Sequence, residues 1–236
     1  MQQVDFSIRR DFFRAAGVGV AGLLLPQATT AQDKKGQKKE EAEEVSPAED
    51  LMREHGILKR VILIYREAIR RIDANTAVPP DVLRGSANLI RHFVEDYHEK
   101  LEEDYLFPRF RKAGKMVDLV NVLYDQHQKG RILTDRILQN ATSAGLKDDA
   151  KKRNLVEAMR LFNRMYEPHE AREDTILFPT FHKLVSQHEF DALGEDFEKK
   201  ENQLFGGEGF EKNVDEVARL EKVFGIYDLA QFTPKV

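Results

Sequence analysis

The stretch YHEKLEEDYLFP, residues 97–108, returns as PHEAREDTILFP at residues 168–179, and this doubled phrase decides how the chain folds. In each copy a histidine is followed four residues later by a glutamate, and then by Leu-Phe-Pro. The copies are 71 residues apart, from His98 to His169. Because residues four apart lie on one face of an α-helix, each copy presents an imidazole and a carboxylate to the same point.

Apolar residues at alternating steps of three and four predict four long helices that carry these phrases. The expected ranges are about 47–75, from 80 onward, 116–141 and 149–185. The first helix starts at a capping box, Ser46-Pro47-Ala48-Glu49. Each helix has one histidine in its apolar stripe, and these are His55, His98, His127 and His169.

The short connections between these helices predict that neighbours run antiparallel, as in an all-α, up-down-up-down four-helix bundle. His55 and His127 are 72 residues apart, which matches the offset of the doubled phrase. The sequence therefore indicates two copies of a helix pair, related by a pseudo-twofold axis. We expect the bundle to occupy residues 47–185. A C-terminal helical extension follows at 186–236, with helices near 186–205 and 214–224.

Composition excludes several functional classes. The 236-residue chain has no cysteine, so it has neither disulfides nor a thiolate metal site. A net charge of −4 gives no basic surface of the kind that binds nucleic acid. Any metal must therefore be held by imidazole and carboxylate groups.

The first 31 residues are typical of an export signal rather than of a folded domain. Residues 7–14 read SIRRDFFR, an apolar run follows, and small residues then suit a cut near Ala31. The pattern resembles a twin-arginine signal, which implies a periplasmic or otherwise exported protein. The alternative is a flexible basic start of a cytosolic protein. The apolar run is too short to span a bilayer, so we expect no membrane span in the mature chain. Residues 32–46 then read as a disordered, charged linker.

The bundle interior is expected to hold two carboxylates, Glu102 and Glu173, among the four stripe histidines. No basic residue lies in the predicted inward stripes to pair with them. Because an unpaired buried carboxylate costs several kcal/mol, positive ions are needed between the helices. The sequence therefore predicts two bound divalent cations.

The order His, His-x-x-x-Glu, His, His-x-x-x-Glu, with Leu-Phe-Pro after each pair, resembles the hemerythrin family over about residues 48–185. The resemblance implies two non-haem irons bridged by Glu102 and Glu173, with the four stripe histidines as terminal ligands. The same ligands also suit manganese or a mixed pair.

Two positions depart from the oxygen-carrying hemerythrins. Arg131 stands where they have a second histidine on the third helix, and Glu173 takes the role of an aspartate that they place one residue later. Glu99 flanks the same point as His98 and could replace the missing imidazole. The resulting His-Glu-x-x-Glu phrase is similar to that of the iron-sensing F-box ubiquitin ligase subunit. The predicted metal ligands are His55, His98, Glu99, Glu102, His127, His169 and Glu173.

The resemblance implies a protein that binds or senses dioxygen or a related small oxidant. A di-iron oxidoreductase that reduces peroxide, oxygen or nitric oxide is an alternative, as is iron storage or an iron response. A binding protein is favoured over an enzyme because no separate acid–base pair or electron-donor motif is visible. A metal-free interaction bundle is disfavoured by its unpaired carboxylates.

Three further predictions concern the surroundings of the site. Gly130, on the inward face of the third helix, is expected to leave room for a small ligand. Glu170, the repeat mate of Glu99, is expected to lie outside the ligand set or to be exposed. Three histidines are expected on the surface: His92, His182 and His188.

Overall fold

Helix α1 spans Pro47–Asp73, and the sequence sets both of its ends. In the computed structural model, which describes residues 45–236, the hydroxyl of Ser46 accepts a hydrogen bond from the Glu49 backbone at 3.3 Å. The helix stops just before Asn75, which has a positive φ of 53°. The predicted start and end are therefore confirmed. The predicted export signal, and the linker up to residue 44, lie outside the described residues.

The second bundle helix is interrupted twice by wider, π-helical turns. It consists of α2 (Pro80–Leu89), a π segment (Ile90–His98), α3 (Glu99–Leu101), a second π segment (Glu102–Leu106) and α4 (Phe107–Ala113). Gly114 ends it in the left-handed conformation, with a φ of 63°. Each π turn adds one residue to the local period and so turns the following side chains to a new face.

The second half of the bundle repeats this plan. It consists of α5 (Val117–Asn140), a 3-10 turn (Gly145–Lys147), α6 (Asp149–Arg172), a π segment (Glu173–Leu177) and α7 (Phe178–Phe181). The carboxylate of Asp148 caps α6 by accepting from the backbone N–H groups of Ala150 and Lys151. The fourth bundle helix, α6 to α7, ends at Phe181 rather than at the predicted 185, and a π segment precedes Pro179, a residue that is expected to kink a helix or to start a new segment.

The two prolines of the doubled phrase explain the matching π segments. Proline has no N–H, and its ring clashes with the carbonyl four residues earlier, so the regular α pattern cannot run through it. At both Pro108 and Pro179 the helix widens just before the proline, which then sits in the first turn of a new α segment. Leu177 is thereby fully buried, while Ile176 is 41% exposed. A regular period of three and four residues continued from His169 and Glu173 predicts Ile176 in the core, and the π turn buries Leu177 in its place.

The four helices form an all-α bundle in which neighbours in sequence are neighbours in space. α5 packs along α6, α1 packs along α6, and the second bundle helix lies against α1 and α5. The core is rich in aromatic side chains. Phe162 contacts Tyr65 edge-on and also packs against Tyr166. This packing fixes the helix register on which the polar residues at the centre depend.

Two further helices cover the bundle. α8 (Gln187–Phe205) agrees with the helix predicted near 186–205; the hydroxyl of Ser186 caps it, and it packs against α1. α9 (Gly209–Phe224) begins five residues before the predicted Val214 and packs against α1 and α2. A short 3-10 turn follows at Leu229–Phe232. Among residues 45–236, no helix has the length and apolar character needed to cross a membrane.

Candidate metal centre

Six of the seven predicted ligand side chains converge at the centre of the bundle, and they come from all four bundle helices. His55 lies on α1 and His127 lies on α5. The second bundle helix brings His98 and Glu102, and the fourth brings His169 and Glu173. All six residues are between 0% and 4% exposed. The helices therefore enclose a polar cluster within an apolar core.

The imidazoles form two pairs. The Nε2 atoms of His55 and His98 are 3.1 Å apart, and their ring centroids are 4.8 Å apart. The ring centroids of His127 and His169 are 5.1 Å apart. Each pair belongs to one half of the chain. We call them the first position (His55 and His98) and the second position (His127 and His169).

The two carboxylates lie between these positions. Oε2 of Glu173 is 3.3 Å from Nε2 of His55, and its Oε1 is 3.1 Å from Nε2 of His169. Oε2 of Glu102 is 3.4 Å from Nε2 of His127 and 3.7 Å from Nε2 of His98. Each carboxylate therefore reaches toward both positions.

Each of the four imidazoles donates a hydrogen bond from its outer nitrogen, Nδ1, to an acceptor on another helix. Nδ1 of His98 donates to Glu54 on α1 at 2.7 Å, and Nδ1 of His55 donates to Asp174 on the fourth bundle helix at 2.7 Å. In the other half, His127 donates to Glu103 at 3.1 Å and His169 to Gln126 at 2.8 Å. Because Nδ1 donates outward in each case, Nε2 of every ring faces the centre, where a cation would use its lone pair after displacing any proton there.

These four acceptors were missed at the sequence level, although a signal was present. Each is the immediate neighbour of a predicted ligand: Glu54 precedes His55, Glu103 follows Glu102, Gln126 precedes His127 and Asp174 follows Glu173. Asp174 also stands five residues after His169, the offset at which the oxygen-carrying hemerythrins have an aspartate, so the predicted replacement of that aspartate by Glu173 is wrong. In this chain the carboxylate of Asp174 contacts the outer nitrogen of His55.

Glu99, the seventh predicted ligand, is buried beside the second position and is held by two other groups. The Tyr166 hydroxyl donates to its Oε1 at 2.7 Å, and the Arg131 guanidinium lies 2.8 Å from its Oε2. Arg131 also lies 2.8 Å from Glu103. Arg131 therefore reaches the buried Glu99 from outside the predicted inward stripes, and its ion pairs are with Glu99 and Glu103 rather than with Glu102 or Glu173. Ligation by Glu99 stays a prediction.

Gly130 leaves room for Tyr166. A Cβ atom added at Gly130 would lie 1.9 Å from the Tyr166 hydroxyl oxygen, so the glycine makes the hydrogen bond to Glu99 sterically possible. The space predicted for a small ligand at Gly130 is therefore filled by the phenol. Tyr166 extends from α6 to α5, and the sequence pattern does not predict this contact between the two helices.

Glu170 is buried, which the sequence left open. It is 4% exposed, its Oε1 is 3.9 Å from Nζ of Lys59, and its Oε2 has no hydrogen-bond partner among the described residues. Burial raises the pKa of Glu170 to about 7, although Lys59 opposes the shift. The three histidines predicted for the surface, His92, His182 and His188, are exposed.

The two central carboxylates have opposite proton affinities. Burial, together with the negative charge of Glu173, raises the pKa of Glu102 well above its usual value. Burial acts in the same sense on Glu173, but the imidazoles of His169 and His55 outweigh it and hold the pKa of Glu173 well below its usual value. In the absence of a cation, the pair therefore holds a proton on Glu102.

The pKa values of two of the imidazoles are also shifted in opposite directions. Burial would lower the pKa of His55, but its contacts with Asp174 and Glu173 outweigh this and raise the pKa to about 9. At His127, burial dominates over the hydrogen bond to Glu103 and lowers the pKa to about 4. A cation that binds at neutral pH must therefore displace a proton from His55.

The donor set fits divalent cations. Several buried atoms at the centre have no hydrogen-bond partner among the described residues. They are both carboxylate oxygens of Glu102, both of Glu173, and Nε2 of His127. Buried polar atoms are normally satisfied, and carboxylates that face only imidazoles, with no lysine or arginine beside them, are costly to bury. Donor atoms of His127, His169 and Glu173 lie within 4.8 Å of one another, as do those of Glu99, Glu103 and His127. Mixed imidazole and carboxylate ligands suit iron, manganese or zinc.

Comparison with known proteins agrees with this geometry. The family described as the hemerythrin HHE cation-binding domain matches residues 46–150 and, a second time, residues 118–224. The two matches begin 72 residues apart, the separation of His55 and His127. The chain is also similar to uncharacterized proteins of Mycobacterium bovis and of two Mycobacterium tuberculosis strains. Each is 47% identical over 223 residues, which cover 93% of this chain and 88% of the relative. No solved structure matches the chain significantly.

Proposed function

The chain belongs to the hemerythrin HHE cation-binding family, and on that premise we propose that it is a non-haem di-iron protein that binds or senses dioxygen or a related small oxidant. The proposed ligands are His55, His98, Glu102, His127, His169 and Glu173. Glu99 is retained as a candidate seventh ligand, since it lies beside His127.

One observation carries the proposal: two buried carboxylates without hydrogen bonds lie between two pairs of inward-facing imidazoles. Within the described part of the chain, no lysine or arginine pairs with Glu102 or Glu173. Two divalent cations would compensate their charge and would use the four Nε2 lone pairs. The spacing of each carboxylate from both positions suits a bridging role.

The residues of the chain define what such a centre would admit. Iron bound here would supply reversible one-electron redox chemistry and a coordination position open to a diatomic or similarly small molecule. Since the six side chains are at most 4% exposed, larger substrates are excluded unless the bundle opens. The four outer acceptors hold the imidazoles in one orientation, which limits reorganisation when the iron changes oxidation state.

The balance of charges favours sensing over reversible carriage. Three of the four outer acceptors are carboxylates, and Arg131 occupies the place of a further imidazole. Carboxylates around a metal site make it more negative and thereby favour the ferric state. An oxidant should therefore convert the centre irreversibly more often than bind to it reversibly.

Export by the twin-arginine route is part of the proposal. It is supported by the order of Arg9-Arg10, the apolar run and the small residues before Ala31. A reporter that folds in the cytoplasm, fused to residues 1–40, should be found outside the cytoplasm, and replacing Arg9 and Arg10 by lysine should retain it inside. A reporter that stays cytoplasmic with the native sequence would contradict export.

Metal analysis tests the central proposal. Protein produced with added iron and purified without chelator should contain two irons per chain. The double variant Glu102→Gln, Glu173→Gln should lose them, whereas the control His182→Gln, His188→Gln, which changes two exposed histidines, should keep them. Wild-type protein that retains no metal would refute the proposal.

Oxygen exposure tests the second half. Ferrous protein prepared without oxygen should change its visible absorption on exposure to air. Recovery of the original spectrum after removal of oxygen indicates binding, and a lasting change indicates sensing by oxidation. An unchanged spectrum would contradict any role in handling dioxygen.

A further inference from the structure

The two halves of the bundle place different residues at equivalent points around the centre. Residues 71 or 72 apart correspond, as the ligands do. Around the centre, three such pairs differ in residue type: Glu54 and Gln126, Lys59 and Arg131, and Glu95 and Tyr166. A fourth pair, Glu170 and Glu99, is glutamate in both halves but has different partners. The ligands are symmetric, so any difference between the two metal positions must arise from these neighbours.

We propose that the two positions bind cations unequally, that the first position (His55 and His98) fills first, and that Gln126 is a positioning residue that weakens the second (His127 and His169). This rests on the proposed function, since it presupposes a two-cation centre. It goes beyond it by assigning an order of loading and the residues that set the order.

The outer acceptors give the first argument. At the first position both imidazoles donate to carboxylates, Asp174 and Glu54, each at 2.7 Å. At the second position His169 donates to the amide oxygen of Gln126 at 2.8 Å. A carboxylate behind an imidazole raises its basicity as a ligand more than a neutral amide does. His169 is therefore the weakest donor of the four.

The nearby cations give the second argument. At the second position Arg131 is only 17% exposed and contacts both Glu99 and Glu103 at 2.8 Å. Its counterpart Lys59 is 51% exposed, and lies 3.9 Å from Glu170 and 3.3 Å from Asp174. A buried fixed charge is screened less than an exposed one. Arg131 therefore repels an incoming cation more than Lys59 does.

The flanking carboxylates give the third argument. Oε1 of Glu99 accepts a hydrogen bond from Tyr166, and its Oε2, which has no hydrogen-bond partner among the described residues, forms an ion pair with Arg131 at 2.8 Å. If Glu99 moved onto a cation at the second position, it would have to release both partners. Glu170, its counterpart beside His55, has an Oε2 without a hydrogen-bond partner among the described residues. All three differences favour the first position.

Titration of the metal-free protein with Co²⁺ tests the order, because Co²⁺ reports its coordination by visible absorption. Binding is followed by absorption and by competition with a chelator of known affinity. We expect two steps, with the second at least ~10-fold weaker, the scale of the change caused by altering a group behind a ligand. Two isosteric variants serve as a matched pair, Gln126→Glu and Glu54→Gln, with circular dichroism to check that each is folded.

The variants identify which position each step belongs to. Gln126→Glu should strengthen the second step by ~10-fold and leave the first unchanged, and Glu54→Gln should weaken the first step by a similar factor. A single class of two equal sites would overturn the proposal, as would Gln126→Glu acting on the tighter step or on neither. Absence of any Co²⁺ binding would refute the two-cation centre itself and thus the proposed function.

Discussion

The hydroxyl of Tyr166 occupies the space that any side chain at position 130 would need, with only 1.9 Å left between its oxygen and an added Cβ. Glycine inside a helix costs about 1 kcal/mol relative to alanine. Its presence in the middle of α5 is therefore explained by the phenol that it admits, and through the phenol by Glu99, to which Tyr166 donates.

Gly130→Ala should destabilise the protein despite the better helix propensity of alanine. Overpacking a close-packed interior costs about 1–3 kcal/mol, which exceeds the gain in propensity. In a Tyr166→Phe background, where the hydroxyl is gone, the same change should cost less. The free energy of unfolding, measured with urea for the four proteins of this double-mutant cycle, checks the coupling. Additive effects would contradict the steric explanation.

Glu102→Gln should separate the stability of the fold from that of the metal centre. Burial and the charge of Glu173 raise the pKa of Glu102 well above its usual value and so favour its neutral form without a cation, a form that glutamine mimics. We expect the metal-free variant to unfold within about 1 kcal/mol of the wild type. With metal present, the rise in melting temperature should be much smaller than in the wild type.

The control for this comparison is Asp104→Asn, two residues along the same helix at an exposed position. It should leave the melting temperature unchanged with and without metal. A Glu102→Gln protein that is stabilised by metal as strongly as the wild type would show that Glu102 is not a ligand.

Metal binding should release protons, and its affinity should rise with pH. With a pKa of about 9, His55 is protonated at neutral pH and must lose that proton to bind a cation through Nε2. Each released proton raises the apparent affinity about tenfold per pH unit until the pH passes the pKa. Calorimetry in buffers of different ionisation enthalpy counts the protons. Asp174→Asn, which removes the first of the contacts that raise this pKa, should reduce the count.

The same shift makes the metal-free fold depend on pH in the opposite sense. A histidine with a raised pKa stabilises the folded state fully below its usual value of 6.5, and this contribution is lost as the pH rises toward about 9. The free energy of unfolding of chelator-treated protein should therefore fall across this window through His55. An Asp174→Asn variant should show a smaller fall.

Truncation of two adjacent residues should reveal the π turn in the fourth bundle helix. Leu177→Ala removes a fully buried side chain and should cost about 2–5 kcal/mol. Ile176→Ala changes a side chain that is 41% exposed and should alter stability by about 0.5 kcal/mol or less. Denaturant unfolding measures both. Equal costs would mean that the helix continues in regular register past Glu173.

The sequence was sufficient for the all-α bundle because four long amphipathic stripes leave few alternatives, and the repeat fixed which helices are equivalent. It also identified six side chains that do meet at the centre, since a helix period places His98 above Glu102 and His169 above Glu173. The contact within each of these two pairs joins residues four apart in one helix, and helix geometry over four residues is regular. The extent of α9 and the position of Ile176 escaped prediction because packing and the prolines override periodicity there.

What the sequence could not give were the contacts between helices. Glu54 reaches His98 and Gln126 reaches His169 across helix boundaries, and a side chain's partner on another helix depends on rotation and register that no single stripe fixes. Arg131 was read as an absent imidazole, whereas its long side chain reaches Glu99 and Glu103. Nor does the sequence show that the side chain of Tyr166 fills the space beside Gly130.

The four outer acceptors have a consequence for how such a chain could arise by duplication. In each half, one histidine donates to an acceptor of the same half: His98 to Glu54, and His169 to Gln126. The other histidine donates to the opposite half: His55 to Asp174, and His127 to Glu103. In one half on its own, one of the two imidazoles would lack the acceptor that orients its outer nitrogen. If the chain arose by duplication, the two halves had to face each other, in one polypeptide or in two, for all four imidazoles to have an outer acceptor.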